Sequence, residues 1–143
     1  MKFPFRNIVF DGGIVIELLL LGEDSELYTS ILKGDIEPIA TNLATIEAEY
    51  ILCRRLGRKL AFNKVDNLVD SNFINIYPLD LICKEVSILK CNNPIALPDC
   101  ATIALATKNK IPALFAKKEG ELEKPLILEA FKIDIFFLED LIP

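Results

Sequence analysis

The sequence contains no histidine. That removes serine and cysteine triads built on an imidazole base, and the zinc sites that rely on imidazole ligands. There is no C-x-x-C pair either. The four cysteines, Cys53, Cys83, Cys91 and Cys100, are scattered through apolar-periodic segments, where cysteine usually serves as a small core residue in a reducing compartment. Long hydrophobic runs are also missing. Crossing a bilayer takes about 20 apolar residues, whereas the best stretch, Ile14 to Leu21, is interrupted by Glu17 and ends at Gly22-Glu23-Asp24. The leading Met1-Lys2-Phe3-Pro4-Phe5-Arg6 has neither the apolar region nor the small-residue cleavage site of a signal peptide. A cytosolic protein with no membrane segment is expected. Positive charge is in short supply, with 16 Lys and Arg against 21 Asp and Glu and a net charge of -5. This balance argues against a general nucleic-acid coat but leaves room for a local basic edge. With imidazole absent and the thiols assigned to the core, carboxylates are the main chemical reagents left.

What is present is apolar: 52% of the 143 residues are hydrophobic and the mean hydropathy is +0.36. A chain of this length makes one ordinary domain, residues 1–143, able to close a core without disulfides or a structural metal. Short apolar runs at Asn7–Phe10, Ile36–Ala40, Phe73–Ile76, Ala113–Ala116 and Ile133–Leu138 read as strands, the second placed in doubt by Pro38. Between them lie helical patterns at Ile14–Leu21, Glu23–Lys33, Leu43–Leu56, Leu60–Asp70, Leu81–Leu89 and Asp99–Lys108. Thr41 and Asn42 are suitable N-caps for the third, which Gly57 stops. Strands alternating with helices predict an α/β fold whose mostly parallel sheet is covered on both faces. Ligands of such sheets bind outside the carboxyl ends of the strands.

Three acids are placed to reach that crevice. Asp11 follows the first strand directly; it is also an ordinary N-cap for the next helix, and the two roles are compatible. Glu47 lies within the apolar stripe of its helix, where a carboxylate is either paired or lines a pocket. Glu49 competes with it, since periodicity separates the two poorly, and a solvated helix face would suit either. Asp99 stands in the first turn of its helix behind Pro98, where the macrodipole alone would favour it by about 0.3–1 kcal/mol. Clustered carboxylates repel one another unless a cation neutralises them. Oxygen-only ligands suit hard ions such as Mg²⁺ or Mn²⁺, which activate water and stabilise charge on phosphoryl oxygens.

Three segments resemble the PIN-domain family, particularly the small ribonuclease toxins of VapBC-type toxin–antitoxin pairs. Ile8-Val9-Phe10-Asp11 is similar to the family's first strand and first acid. The stretch Thr45-Ile46-Glu47-Ala48-Glu49-Tyr50, continuing to Gly57, resembles its long helix, in which the acid precedes an aromatic by three residues; this selects Glu47. Ala96-Leu97-Pro98-Asp99-Cys100-Ala101-Thr102 resembles its most recognisable stretch, with Asp99 as the acid. The resemblance runs over nearly the whole chain. It implies a three-layer α/β/α sandwich and a metal-dependent endoribonuclease in which Asp11, Glu47 and Asp99 hold Mg²⁺ or Mn²⁺, two of them directly. It further implies an RNA substrate, an antitoxin partner and a homodimer.

Two positions depart from the family pattern. The first acid is usually followed by Ser or Thr, and here Gly12 supplies no hydroxyl. The fourth acid normally follows the strand written here as Leu114-Phe115-Ala116, and the matching residue is Lys118. Glu119 or Glu121 would substitute through a shifted loop, Glu119 being favoured, or the Lys118 ammonium would fill the vacancy. These departures motivate the alternative of a degenerate PIN fold that binds or scaffolds without catalysis. Lys117 and Lys118 are candidates for the substrate phosphate. Arg54, Arg55, Arg58 and Lys59 are either a second phosphate contact or simply cations at a helix C-terminus, where the macrodipole favours them. An unrelated phosphoacceptor receiver domain fits less well, because no adjacent acidic pair follows the first strand.

Overall fold

The computed structural model of the chain describes residues 2–118, 120–123 and 129–142. Five strands form one all-parallel sheet: β1 (Asn7–Phe10), β2 (Glu37–Thr41), β3 (Asn75–Tyr77), β4 (Ala113–Phe115) and β5 (Ile135–Phe137), in spatial order β3-β2-β1-β4-β5. The seven α-helices among the described residues are α1 (Gly12–Leu21), α2 (Glu26–Leu32), α3 (Asn42–Leu56), α4 (Arg58–Asp70), α5 (Cys83–Asn92), α6 (Leu97–Asn109) and the short α7 (Leu138–Leu141). None of them is long and apolar enough to cross a membrane.

Apolar strand runs follow from a sheet covered on both sides. In β1, Ile8 and Phe10 enter the core beneath α1, α2 and α3, with Ile14, Val15, Leu18, Ala44 and Ala48. Val9 points the other way, into a second core with Val86 of α5, Ile103 of α6, and Phe115 and Phe137 of the sheet. A small third cluster of Leu52, Ala61 and Val65 joins α3 to α4 across Gly57, whose φ of +86° reverses the chain between the helices. The result is the expected α/β/α sandwich.

Pro38 occupies an interior strand without breaking it. The Glu37 N–H donates to the Arg6 carbonyl on the β1 side (2.7 Å), so the nitrogen of the next residue faces away from β1. Pairing with β3 begins only at Ile39, so the missing donor falls before that ladder starts. The helix expected over Glu23–Lys33 is split. Gly22, at φ +53°, leads into a 3-10 turn through Asp24, and Ser25 then restarts the chain as N-cap of α2, its Oγ accepting from the Tyr28 N–H at 3.4 Å.

From β1 the chain moves outward to β2 and β3, then returns across the sheet to β4 and β5 on the other side. The direction of winding therefore switches between β1 and β4, and the crevice in which such sheets bind ligands is the one beyond the strand ends there. The Asp11 N–H, donating to the Leu114 carbonyl at 3.1 Å, ties its edges together.

Candidate functional site

Asp11 leaves β1 with extended backbone (φ -80°, ψ 174°) and its Oδ1 accepts from the Ile14 N–H at 3.0 Å, capping α1. Both readings of this residue hold together: the bond that caps the helix also fixes the carboxylate at the switch point. Burial pushes its pKa up to about 8 against the lowering effect of the Ile14 N–H, and the negative charges of Asp99 and Glu47 push the same way.

Glu47 comes from α3, one turn beyond its capped start, where Thr41 Oγ1 accepts from the Ala44 N–H at 3.2 Å. The Glu47 carboxylate rests against Gly12: a Cβ on that glycine would overlap Glu47 Oε1 and lie 2.9 Å from Cδ. Burial raises the pKa of Glu47, and Asp99 raises it further. Glu49 turns elsewhere. Its pKa is raised by burial and then by Asp66 of α4, so it faces the α3–α4 seam. Asp99 lies in the first turn of α6, half-buried, and burial pushes it up to about 6 despite the favourable helix dipole.

Three carboxylates from three separate elements thus share one field at the strand ends. The ion pairs among the described residues are Arg6–Glu37 (2.8 Å) and Lys118–Asp140 (2.7 Å), and neither neutralises them. An all-oxygen, anionic donor set is chemically suited to a hard divalent cation. In the arrangement observed, no three His, Cys, Asp or Glu side chains among the described residues close on a common point as ion ligands would.

The basic candidates separate. Lys118 does not turn to the acids. Its ammonium pairs with Asp140 and lies over the Phe137 ring (5.4 Å), while its N–H donates to Glu139 Oε1 at 2.8 Å. Lys117 is exposed and lines a cavity of about 290 Å³ with Glu17, Ala116 and Glu139. Arg54 lies over the Tyr50 ring (5.1 Å), and with Arg55 it occupies the last turn of α3. These arginines lie about 10 Å or more along the helix axis from Glu47, at 1.5 Å per residue, with Arg58 and Lys59 beyond them at the start of α4. Glu119 and the side chain of Glu121 lie outside the described residues.

Glu17 is the acid that sequence reasoning left unassigned. Its Oε2 is buried with no hydrogen-bond partner among the described residues, and burial raises its pKa against the opposing charge of Lys117. The signal was present in the sequence as the one charge inside the apolar run Ile14–Leu21.

No protein-family model matches the sequence, and no curated relative matches it. Solved structures do. VapC20 of Mycobacterium tuberculosis, described as a sarcin-ricin loop cleaving toxin, has a TM-score of 0.56 and 18% identity, covering 74% of this chain and 86% of that one. A toxin–antitoxin complex from Klebsiella pneumoniae has a TM-score of 0.56 and 15% identity, covering 82% and 92%. At these identities the likeness carries the fold: the chain has the PIN-like α/β/α sandwich of the VapC toxins.

Proposed function

We propose that this protein is a metal-dependent endoribonuclease of the PIN type, the toxin of a toxin–antitoxin pair, with Asp11, Glu47 and Asp99 holding Mg²⁺ or Mn²⁺. The observation that carries this reading is that Glu47 rests against Gly12, the residue after Asp11, and that the charges of Glu47 and Asp99 are felt at Asp11, with no ion pair to any of the three among the described residues. When bound, the cation would lower the pKa of water and stabilise charge on a phosphoryl oxygen. The chain's own residues do the rest. Ile14 orients Asp11 through its N–H, and the Gly13 N–H also acts on this carboxylate. Asp99 and Glu47 supply the remaining negative charge. A carboxylate not holding the ion would serve as the base that accepts the proton of the attacking water. Lys117, exposed at the end of β4, is the cation offered to the RNA phosphate. An antitoxin partner, a homodimer and a cytosolic setting belong to the same reading. The toxin–antitoxin complex from Klebsiella pneumoniae supports the first of these.

The test is cleavage of single-stranded and structured RNA with Mg²⁺ or Mn²⁺, comparing the protein with Asp99→Asn. A loss of about 100-fold or more is expected. Equal activity in the variant would trace the cleavage to a contaminating nuclease and remove the proposal.

The second reading, a PIN fold that binds without cleaving, is favoured by Lys118, which stands at the fourth-acid position and is committed to Asp140. RNA that is bound but left intact by the cation-loaded protein would select it.

A further inference from the structure

We propose that Gly12 is a positioning residue, whose missing side chain opens the seat in which the Glu47 carboxylate stands beside Asp11. The proposal rests on the reading of Asp11, Glu47 and Asp99 as a cation site and explains how Glu47 reaches it.

Gly12 is a buried glycine at the first position of α1. Backbone geometry does not call for one. Gly22, Gly34, Gly57 and Gly120 all have positive φ and open space where a Cβ would stand, whereas Gly12 is not in the positive-φ region. What distinguishes it is the neighbour. A Cβ at this position would overlap Glu47 Oε1, lie 2.9 Å from Cδ and lie 3.1 Å from the Glu47 Cβ. Carbon atoms pack at about 3.5–4.0 Å, so in the observed arrangement a Cβ at position 12 would turn the Glu47 carboxylate out of its place and press on its stem by a few tenths of an ångström. Asp11 immediately precedes Gly12, and the Glu47 charge is felt at Asp11. The glycine therefore lets α1 and α3 come together closely enough for a carboxylate on one to serve the carboxylate at the head of the other. Gly13 plays no such part: a Cβ there would meet Ala116 Cβ first, at 3.1 Å.

The experiment is calorimetric titration of the RNA-free protein with Mn²⁺, with thermal melts to confirm folding. The variants are Gly12→Ala, Glu47→Ala, their double mutant, and Gly12→Ala combined with Glu47→Asp. Gly12→Ala is expected to weaken Mn²⁺ binding by about 10-fold or more. In the Glu47→Ala background, adding Gly12→Ala should change the affinity by no more than about twofold, since the clash is gone. Glu47→Asp, one methylene shorter, should recover most of the affinity lost in Gly12→Ala.

Undiminished binding by Gly12→Ala overturns the proposal, as does a further 10-fold loss in the double mutant, which would place the effect in the backbone rather than the Glu47 seat. If Gly12→Ala alone fails to fold, the combination with Glu47→Asp decides: a folded, Mn²⁺-binding protein supports the seat, and an unfolded one overturns it. Absence of Mn²⁺ binding in the unmodified protein would overturn the cation site itself, and this inference with it.

Discussion

Asp11 combines a structural and a chemical task, and substitution separates them. Asparagine caps helices as well as aspartate does, whereas alanine forfeits the cap at a cost of about 0.5–2 kcal/mol. Asp11→Asn should therefore raise the melting temperature of the cation-free protein at pH 8, because it removes a poorly solvated charge while keeping the bond to Ile14. Asp11→Ala should melt below Asp11→Asn, and both should lose Mn²⁺ binding. The raised carboxyl pKa values also set a pH dependence. Asp11 is pushed up to about 8 and Asp99 up to about 6, both from 3.8. Between the unfolded and folded values the native state holds protons that the unfolded chain releases, so stability falls as pH rises through this window. Calorimetric melts without divalent cation should give a higher melting temperature at pH 5 than at pH 8, and saturating Mn²⁺ should shrink the difference. A melting temperature that climbs with pH in the cation-free protein would contradict the burial of these acids.

At the scale of elements, β1, α3 and α6 were legible because each carries its own punctuation: Asp11 after an apolar run, Thr41 before a periodic one, and Pro98 in the first turn. Asp11 could be placed at the strand ends from topology, whereas Asp99 was picked out by its place in the first turn behind Pro98 and by the family resemblance. Glu47 could not be told from Glu49 by periodicity, and the packing explains why. Helix α3 is flanked by α1 on one side and α4 on the other, so residues two apart, pointing in nearly opposite directions, are both partly buried. The seat at Gly12 was equally hidden, since it depends on a contact between residues 12 and 47 that no local pattern records. Helix α1 carries its own test. Glu17 interrupts its apolar run with a buried oxygen that has no partner among the described residues, and an orphaned group of this kind costs about 1–3 kcal/mol. Glu17→Leu should raise the melting temperature by a few degrees. A fall would show that its attraction to Lys117 outweighs the desolvation.

For the molecule as a whole, the missing histidine and the net charge of -5 describe one design. Three of the acids, Asp11, Glu47 and Asp99, lie near the sheet's switch point with raised pKa values, and under the proposed function a cation rather than a basic surface would admit a phosphodiester there. The apolar surplus is divided among the two main cores, the small α3–α4 cluster and an exposed remainder that includes Ile46 and Tyr50, one turn apart on α3. A homodimer would use such a surface. Light scattering should then give about twice the monomer mass of 16.0 kDa, and a strictly monomeric protein at high concentration would contradict that assembly.

The cation site is tested most directly by anomalous diffraction from crystals soaked in Mn²⁺. The prediction is one Mn²⁺ peak in the crevice, with oxygens of at least two of Asp11, Glu47 and Asp99 at about 2.0–2.2 Å. A crevice without a peak at saturating Mn²⁺, or a peak held only by residues elsewhere, would contradict it.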